Sequence, residues 1–451
     1  MPTFSSADLA TWAEGRWTDS PRAALTGFGT DTRALRAGDV FVAVRTERRD
    51  GHDFLGAARS QGAACALVGR PVADDLPQLV VDDPLVALRR VAARWRAQFP
   101  GRVIGVTGSV GKTSTKEMLA ALLGPAAFVT EANLNNLIGV PLMLLRVEPG
   151  LHRFAVIEAG MSLPGELGVS AGVIRPDVAI VTNVAPVHLE GVGSLAGIAR
   201  EKATLVAALA PGGQAVIPAA LLAWPEFAVH AARCVAVQFE GEDAPAVAPA
   251  RLVRASFLVD ARGQRSLVLD GEVFPLAPIS DGLARNAALA VGRPAAELAV
   301  ATAKWLPPAG RGSVHVEGER TFYVDCYNAS PASLLDSARA FDRLSRASAA
   351  PRLFVLGGMA ELGPTSAQLH RDCGAQLPLR SGDHVVAFGG ESAALLQGVA
   401  LPGVELSAAA SVEDAAARVA AHRGFVFLKG SRSFALERCL PAPLRSALSF
   451  H

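Results

Sequence analysis

The sequence predicts three consecutive α/β domains, and three observations support this fold class. The chain has 451 residues, and about 150 residues per domain is the usual size. Short apolar runs alternate with helical segments along the whole chain, which is typical of α/β units. A Pro- and Gly-rich stretch, LPPAGRG at residues 306–312, is typical of a linker between domains. We therefore predict domains over residues 1–83, 84–312 and 313–451.

In the first predicted domain, short apolar runs predict strands, and the segments near them have helical periodicity. The predicted strands cover residues 40–44, 64–68 and 79–81, a predicted helix covers residues 54–61, and a second predicted helix follows this domain at residues 85–98. Pro100 and Gly101 end the second of these helices.

The second and third predicted domains contain continuous apolar runs, which indicate a parallel sheet covered on both faces. In the second, strands are predicted at residues 103–106, 154–157 and 178–182, helices at 113–123 and 195–209, short β-like segments over 235–277, and a helical stretch over 281–304. In the third, strands are predicted at residues 321–324, 353–356, 384–388 and 425–428.

Composition and charge restrict the classes of function. Half of the residues are hydrophobic and 19% are charged, which suits folded domains with sizeable cores. Lys plus Arg (43) nearly balance Asp plus Glu (42), so no overall field favours nucleic acid or an anionic membrane. No run approaches the roughly 20 apolar residues of a membrane-spanning helix, and the N-terminus lacks an export signal. Five scattered cysteines indicate buried thiols in a reducing compartment. We predict a cytoplasmic protein.

A phosphate-binding loop is the sharpest local motif. The apolar strand at 103–106 leads into GSVGKT at residues 108–113, and a helix follows. Glycines let backbone N–H groups surround phosphate oxygens, and the helix N-terminus adds its positive end. Lys112 would reach the terminal phosphates, and the Thr113 hydroxyl would bind Mg²⁺. The alternative is a glycine turn with a solvated lysine. The predicted nucleotide contacts are Gly108, Ser109, Val110, Gly111, Lys112, Thr113 and Ser114.

Three further residues are candidates for a metal site. Glu158 ends a predicted strand, which places a carboxylate at the sheet edge where the phosphate loop opens. The alternative is a surface glutamate at a strand end. His188 lies in a loop after the strand at 178–182, where a structural histidine is the ordinary interpretation. Lys202 lies in a predicted helix, and its spacing alone favours a solvent-facing lysine.

Several motifs, in the same order, resemble the Mur ligase family over nearly the whole chain. They are DTRALRAGDVFVA at residues 31–43, DGHDF at 50–54, the phosphate loop, NLNNLIGVP at 133–141, VDCYNASPAS at 324–333, MAELG at 359–363 with His370, and LKGSRS at 428–433. The resemblance implies a central P-loop ATPase domain built on a parallel sheet. It also implies an α/β N-terminal domain that binds a UDP-linked substrate and a Rossmann-like C-terminal domain.

The resemblance also implies roles for single residues. Glu158, His188 and Lys202 would bind one or two Mg²⁺ ions together with Thr113, and Lys202 would do so as a carbamate. With Lys112, those three residues would form the catalytic set. Further nucleotide contacts would come from Asn286, Arg311, Asp325, Tyr327 and Asn328. Substrate contacts would come from Asp31, Thr32, Arg33, Asn135, Asn136, Lys429, Ser431 and Arg432.

The segment at 324–333 is most similar to that of the family branch that adds D-alanyl-D-alanine to UDP-N-acetylmuramoyl-tripeptide. This implies an ATP-dependent, ADP-forming ligase of peptidoglycan synthesis that works through an acyl phosphate, and we expect a monomer. The alternatives are another amide ligase of the superfamily, tripeptide-forming or of folylpolyglutamate type, and a non-catalytic nucleotide-binding relative. No guanine-recognition motif of the NKxD type is present, which disfavours a GTPase.

The chain departs from the family pattern at three places. Gly358 stands where an Asp often precedes MAELG. The usual His-Asn-x-x-Asn stretch near the adenine site is reduced to residues 282–287, where only Asn286 remains. The helical segment that follows, up to Trp305, is shortened. These departures concern recognition of the base and leave the phosphate chemistry unchanged.

Overall fold

The computed structural model describes residues 2–186, 189–260, 265–277, 279–291 and 305–447. These residues form three β-sheets of five, nine and six strands, each flanked by helices. Each sheet lies within one of the three predicted domains. The predicted α/β class is confirmed, and the predicted strands are all present with ends within two residues of those expected. In the described part of the chain, no helix is both long and apolar enough to cross a bilayer.

The first sheet has the strand order β1-β5-β4-β3-β2, and all its neighbours are parallel except β1 with β5. Its strands are β1 Arg16–Trp17, β2 Gly27–Gly29, β3 Asp39–Val42, β4 Cys65–Val68 and β5 Gln78–Val80, with helices α1 Ser6–Ala13 and α2 Leu55–Ser60. Helix α3, Pro84–Gln98, then leads into the central domain. Asp83 caps it by accepting from two backbone N–H groups, and Pro84 occupies its first turn.

Helix α3 joins the first domain to the second through apolar packing. Its buried face, which includes Leu88 and Val91, belongs to one continuous hydrophobic cluster. That cluster contains Val40 and Leu67 of the first sheet and Val103 and Ile157 of the second. Because removal of this shared apolar surface from water stabilises the contact, the first two domains form one packed unit.

The central sheet has the order β14-β13-β12-β11-β10-β9-β6-β8-β7. Its strands are β6 Arg102–Thr107, β7 Ala127–Val129, β8 Phe154–Glu158, β9 Val178–Val181, β10 Gln214–Pro218, β11 Cys234–Phe239, β12 Arg251–Val259, β13 Arg265–Leu269 and β14 Glu272–Pro275. Its helices are α4 Lys112–Leu123, α5 Gly139–Leu144, α6 Glu166–Ile174, α7 Leu189–Val192, α8 Leu195–Ala207, α9 Pro225–Ala228 and α10 Asp281–Val291.

The prediction of a parallel central sheet needs one correction. Seven strands, from β7 to β12 in the sheet order, are parallel, but β13 and β14 pair antiparallel at the edge. Five residues separate β12 from β13 and two separate β13 from β14, and parallel neighbours would need a connection of a dozen or more residues. The helical stretch predicted over 281–304 is present as α10, and its residues 292–304 lie outside the described ranges.

The third sheet has the order β15-β16-β20-β17-β18-β19 and is parallel except for β15 with β16. Its strands are β15 Ser313–Glu317, β16 Arg320–Asp325, β17 Arg352–Gly357, β18 His384–Phe388, β19 Glu405–Ala409 and β20 Gly424–Lys429. Its helices are numbered α11 Pro331–Ser345, α12 Ser366–Gln376, α13 Ala393–Gly398, α14 Val412–Ala421 and α15 Ala442–Ala447. This domain has its own two hydrophobic clusters, one on each face of the sheet. All five cysteines of the chain are buried and free, as predicted.

Candidate active site

Three neighbouring strand ends of the central sheet position the candidate site. Strand β6 lies between β8 and β9, and all three are parallel. The phosphate loop follows the carboxyl end of β6, Glu158 is the last residue of β8, and Asn183 lies just after β9. Ligands of open α/β sheets bind in the crevice at such an edge, where the strand order changes direction. The sequence prediction that Glu158 and the phosphate loop share one edge is therefore confirmed.

Two glycines give the phosphate loop its shape. Gly108 has φ +153° and Gly111 has φ +84°. A Cβ at Gly108 would lie 1.8 Å from Thr182 Oγ1, and a Cβ at Gly111 would lie 2.1 Å from Asn286 Nδ2. Only glycine fits these positions, because any side chain would occupy space already filled by a neighbour.

Residues after β9 hold the loop from the other side. The Thr182 hydroxyl donates to the Val110 carbonyl at 2.6 Å, and the Val110 N–H donates to Asn183 Oδ1 at 2.9 Å. Ser109 Oγ donates to the Ala185 carbonyl at 3.0 Å and accepts from the Ala185 N–H at 2.9 Å. The loop is thus preorganised by side chains from the neighbouring strand end.

Glu158 has one satisfied and one unsatisfied oxygen. Its Oε1 accepts from Thr113 Oγ1 at 3.1 Å and from Asn135 Nδ2 at 2.7 Å. Its Oε2 is buried without a hydrogen-bond partner in the described part of the chain, and the residue is only 1% exposed. The alternative of a surface glutamate is therefore wrong. A buried, unsatisfied carboxylate oxygen beside a hydroxyl suits a divalent cation with oxygen ligands, so these residues fit Mg²⁺.

Two lysines lie close to each other at this site, and one of them, the half-buried Lys112, is also near this carboxylate. Lys112 Nζ donates to the Gly108 carbonyl at 2.7 Å. Burial lowers its pKa, Glu158 opposes that shift, and Arg311 adds to it. Lys202, in α8, is 2% exposed, so the interpretation as a solvent-facing lysine is wrong. Burial, followed by repulsion from Lys112, holds the pKa of Lys202 well below its ordinary value. This shift favours the neutral amine of Lys202 more than in an exposed lysine.

The C-terminal domain supplies a second wall. At the ends of β16 and β20, Asp325 and Lys429 are paired in register, with Lys429 Nζ 2.8 Å from Asp325 Oδ2. Lys429 also donates to the Asn328 carbonyl at 2.8 Å. The Arg311 guanidinium lies 3.7 Å from the ring centroid of Tyr327. Between the two domains lies a cavity of about 490 Å³, a volume typical of ligand sites.

The cavity brings together most of the predicted site residues. It is lined by Ser109, Val110, Gly111, Lys112, Thr113, Ser114, Asn135, Asn136, Glu158, Asn286, Arg311, Asp325, Tyr327, Asn328 and Lys429. Gly108 and Lys202 do not line it, although the Gly108 carbonyl accepts from Lys112, which does. Ser431 and Arg432 do not line it, since Ser431 Oγ accepts from the Ala360 N–H and Arg432 pairs with Glu437. His188 lies outside the described residues.

The N-terminal domain has a separate cavity of about 300 Å³ formed by the DGHDF motif and its surroundings. His52 Nε2 accepts from the Gly69 N–H at 2.9 Å, so its Nδ1 donates to Asp50 at 2.5 Å. Hydrogen bonds from His52 hold the pKa of Asp50 at about 2, which keeps it anionic. Asp31, Thr32 and Arg33 lie outside both cavities. Arg33 pairs with Asp31 yet is 85% exposed.

Comparisons with known proteins agree with this architecture. Residues 24–96 match the catalytic domain of the Mur ligase family, 106–268 the Mur ligase middle domain, and 310–432 the Mur ligase glutamate ligase domain. The UDP-N-acetylmuramoyl-tripeptide–D-alanyl-D-alanine ligase of Escherichia coli (strain K12) is 34% identical over 429 residues, which cover 92% of each chain. The chain belongs to the Mur ligase family.

Solved structures extend this similarity to the fold of the whole Mur ligase chain. MurF from Acinetobacter baumannii is 28% identical, covers 99% of both chains and superposes with a TM-score of 0.84. MurF ligase from Thermotoga maritima, solved in complex with ADP, is 26% identical, with a TM-score of 0.77 and coverage of 92% of this chain and 96% of that one.

Sequence reasoning missed several residues of the site in this Mur ligase. Asn183 follows the strand next to the phosphate loop, so its polar side chain at a strand end was a usable signal. Ser280, Tyr323 and Asp336 also line the cavity. No local signal marks them, because each belongs to a strand, a helix or a helix end whose relation to the cavity depends on how the domains meet.

Replacement of Gly111 by alanine is expected to weaken nucleotide binding by at least about tenfold, because the new Cβ would displace Asn286 and distort the loop. Gly271→Ala is the matched control. Gly271 lies in the turn between β13 and β14 with φ +90°, close to the value at Gly111, but it has open space around it and lies outside the cavity, so alanine there should cost only about 1 kcal/mol of backbone strain. ADP titration calorimetry and thermal melting measure both effects. Equal ADP affinity in the two variants would contradict the assigned crowding.

Proposed function

We propose that this Mur ligase uses ATP to join D-alanyl-D-alanine to UDP-N-acetylmuramoyl-tripeptide. The observation that carries the proposal is the half-satisfied carboxylate of Glu158 beside Lys112 and Thr113, in a cavity closed by the C-terminal domain. The names of the E. coli relative and of the MurF structures support the choice of substrates. The ADP in the Thermotoga maritima MurF structure supports ATP as the phosphate donor.

ATP would bind with its phosphates on the loop at residues 108–114. Backbone N–H groups at the start of α4 point toward phosphate oxygens and carry the positive end of the helix. Lys112 would exchange its contact with the Gly108 carbonyl for the terminal phosphates. Arg311, already packed on Tyr327 at the cavity wall, would add a second cation.

Magnesium would be held by Glu158 Oε2 and the Thr113 hydroxyl, and a second ion by Lys202 as a carbamate together with His188. Bound magnesium supplies neutralisation of the phosphate charge that builds up during phosphoryl transfer. Lys202 suits carbamate formation because its buried amine is favoured in the neutral form. That amine would add to CO₂ and lose one proton, which converts a potential cation into an anionic oxygen ligand.

The reaction would proceed in two displacements. The terminal carboxylate of the tripeptide attacks the γ-phosphorus of ATP, which forms an acyl phosphate and releases ADP. The amine of D-alanyl-D-alanine then attacks the acyl carbon, a proton leaves the nitrogen, and inorganic phosphate departs. Lys112 and Arg311 would hold the phosphoryl group so that an anionic carboxylate can approach it. Closure of the C-terminal domain about residues 306–312 would exclude water from the acyl phosphate.

The three substrates would come from three domains. The UDP portion would bind the first domain, at the cavity beside Asp50 and His52 and at the exposed Arg33 with Asp31 and Thr32. Asn135 and Asn136, at the rim of the central cavity, would hold the peptide end near Glu158. The dipeptide would lie toward Lys429, with Ser431 and Arg432 behind it.

An acceptor screen tests the proposed reaction. With ATP, Mg²⁺ and UDP-N-acetylmuramoyl-tripeptide, the enzyme is expected to release phosphate and form the pentapeptide product only when D-alanyl-D-alanine is supplied. Mass spectrometry of the product and a phosphate assay measure this together. Turnover with UDP-N-acetylmuramoyl-dipeptide and diaminopimelate or lysine would instead favour a tripeptide-forming ligase, and turnover with a folate and glutamate would favour a folylpolyglutamate-type ligase. ATP binding without phosphate release for any acceptor would favour a non-catalytic relative.

Lys112→Ala is expected to lower turnover by at least about 10³-fold, because the loop loses its positive charge at the transferring phosphoryl group. The fold should survive, since the side chain makes one hydrogen bond, to the Gly108 carbonyl. Steady-state kinetics and circular dichroism measure the two quantities. Near-normal turnover in a folded variant would remove the loop from the mechanism.

Lys202 is expected to carry a carbamate that forms from bicarbonate near neutral pH. Carbon-13 NMR of the enzyme in labelled bicarbonate should show a carbamate signal, and Lys202→Arg should abolish it, because a guanidinium stays protonated. Lys116 is the internal control: it is equally buried, but its amine donates to the Thr130 carbonyl and pairs with Glu117. A signal that persists in Lys202→Arg would contradict the assignment.

A further inference from the structure

The cavity extends away from the metal site along helix α10. The phosphate loop contacts Glu158 through Thr113 and contacts Asn286 of α10 at Gly111. Because the terminal phosphates belong beside Glu158, the rest of the nucleotide lies along α10. Gly282, Leu283 and Asn286 all line the cavity, and their spacing places them on one face of that helix.

The end of the cavity near the start of α10 is acidic rather than basic. Asp336 of α11 in the C-terminal domain enters it, and Asp325 lies on the same wall. Asp336 Oδ1 accepts from the Gly282 N–H at 3.0 Å across the domain boundary. Burial, together with Asp281 and Asp325, raises the pKa of Asp336, and the bond with Ser280 opposes that shift. Carboxylates repel phosphates, so this end suits a neutral group that donates hydrogen bonds.

Asp336 occupies space that the absence of a side chain at Gly282 leaves open. A Cβ at Gly282 would lie 2.6 Å from Asp336 Oδ2. This is the stretch in which the chain departs from the His-Asn-x-x-Asn pattern of its family. The side chain of Asp336, from the C-terminal domain, therefore occupies the space beside Gly282, where α10 carries no side chain.

Tyr323 adds an unpartnered donor to the same wall. The residue is 2% exposed and lines the cavity, and its buried hydroxyl has no hydrogen-bond partner in the described ranges. Packing against Phe427 and Phe341 fixes the ring, and Gly312, with φ +86°, leaves room for the hydroxyl. Burial and the nearby aspartates raise the pKa of Tyr323 well above its ordinary value, and the Ser337 hydroxyl close by opposes that shift only in part, so Tyr323 remains a neutral donor.

We infer that Asp336 and Tyr323 form the base-recognition subsite for ATP. The Asp336 carboxylate accepts a hydrogen bond from the exocyclic amine of adenine, and the Tyr323 hydroxyl donates to an acceptor on the same nucleoside. The Asp336 carboxylate can accept further hydrogen bonds in addition to those from Gly282 and Ser280. The inference rests on the proposed use of ATP and explains how base recognition persists without the family pattern on α10. It also makes the nucleotide a bridge, since its phosphates bind the central domain and its base binds the C-terminal domain.

Binding of three diphosphates to the whole enzyme tests the inference by titration calorimetry. ADP carries the amine, purine riboside diphosphate lacks it, and inosine diphosphate replaces it with a carbonyl oxygen. The wild type is expected to bind ADP about tenfold more tightly than either analogue, equivalent to about 1.4 kcal/mol. Equal affinities for all three would overturn the inference.

Asp336→Asn sharpens the test. Its Oδ1 can keep the bond from Gly282, which turns the amide NH₂ toward the base. ADP affinity should fall about tenfold, and the preference should shift toward inosine diphosphate. A fall by the same factor for all three ligands would reveal only a structural contact between domains and would overturn the inference. Tyr323→Phe should weaken ADP binding about fivefold without lowering the melting temperature, and unchanged ADP affinity would remove Tyr323 from the subsite.

Asp372→Asn is the matched control, because this exposed aspartate lies on α12 of the same domain, away from the cavity. It should change neither the affinities nor their order. These titrations require neither acceptor nor tripeptide, so they separate the two proposals. If ADP binding depends on the amine but no pentapeptide forms, only the proposed reaction is contradicted. If the pentapeptide forms but binding does not depend on the amine, only the base-recognition subsite is contradicted.

Discussion

The carboxylate of Glu158 is the group on which the site depends. It lies at the end of a central strand, where Thr113 and Asn135 fix one oxygen and nothing described satisfies the other. Burial of such a group is unfavourable unless a cation approaches it. Lys112 lies nearby, and burial lowers its pKa. The pocket therefore holds an anionic and a cationic side chain that are both poorly solvated. That combination suits a ligand that brings both a metal and phosphates.

The two domain boundaries differ in their physical nature. Around α3, the first and central domains share a continuous apolar cluster, which makes that contact costly to open. The contacts described between α10 and α11 are polar: Asp336 accepts from Gly282, and Arg343 donates to Asp281 at 3.1 Å. Water can replace such bonds at little net cost. Movement of the C-terminal domain is therefore the motion that the structure favours, and a nucleotide that contacts both walls would restrain it.

The fold could be predicted in outline because its signals are local. Continuous apolar runs marked the buried strands, and the glycine pattern marked a loop that the backbone can form only without side chains at Gly108 and Gly111. The antiparallel edge of β13 and β14 escaped prediction, since strand direction depends on pairing partners rather than on composition. The burial of Lys202 was not predicted either, because helical spacing alone does not say which neighbouring elements cover each face of the helix. Recognition of family motifs, not spacing, had pointed to that lysine.

The helices, the strands, the phosphate loop and the strand end that carries Glu158 can be read from local sequence, because they follow from the conformations open to neighbouring residues. Which distant groups meet depends on how the chain packs. Lys429 reaches Asp325 across 104 positions, and Asp336 reaches Gly282 across 54. Packing also decides which polar atoms, such as Glu158 Oε2 and the Tyr323 hydroxyl, are left unsatisfied. Burial and hydrogen bonding are properties of the packed chain, and the recognition chemistry of the site arises from them.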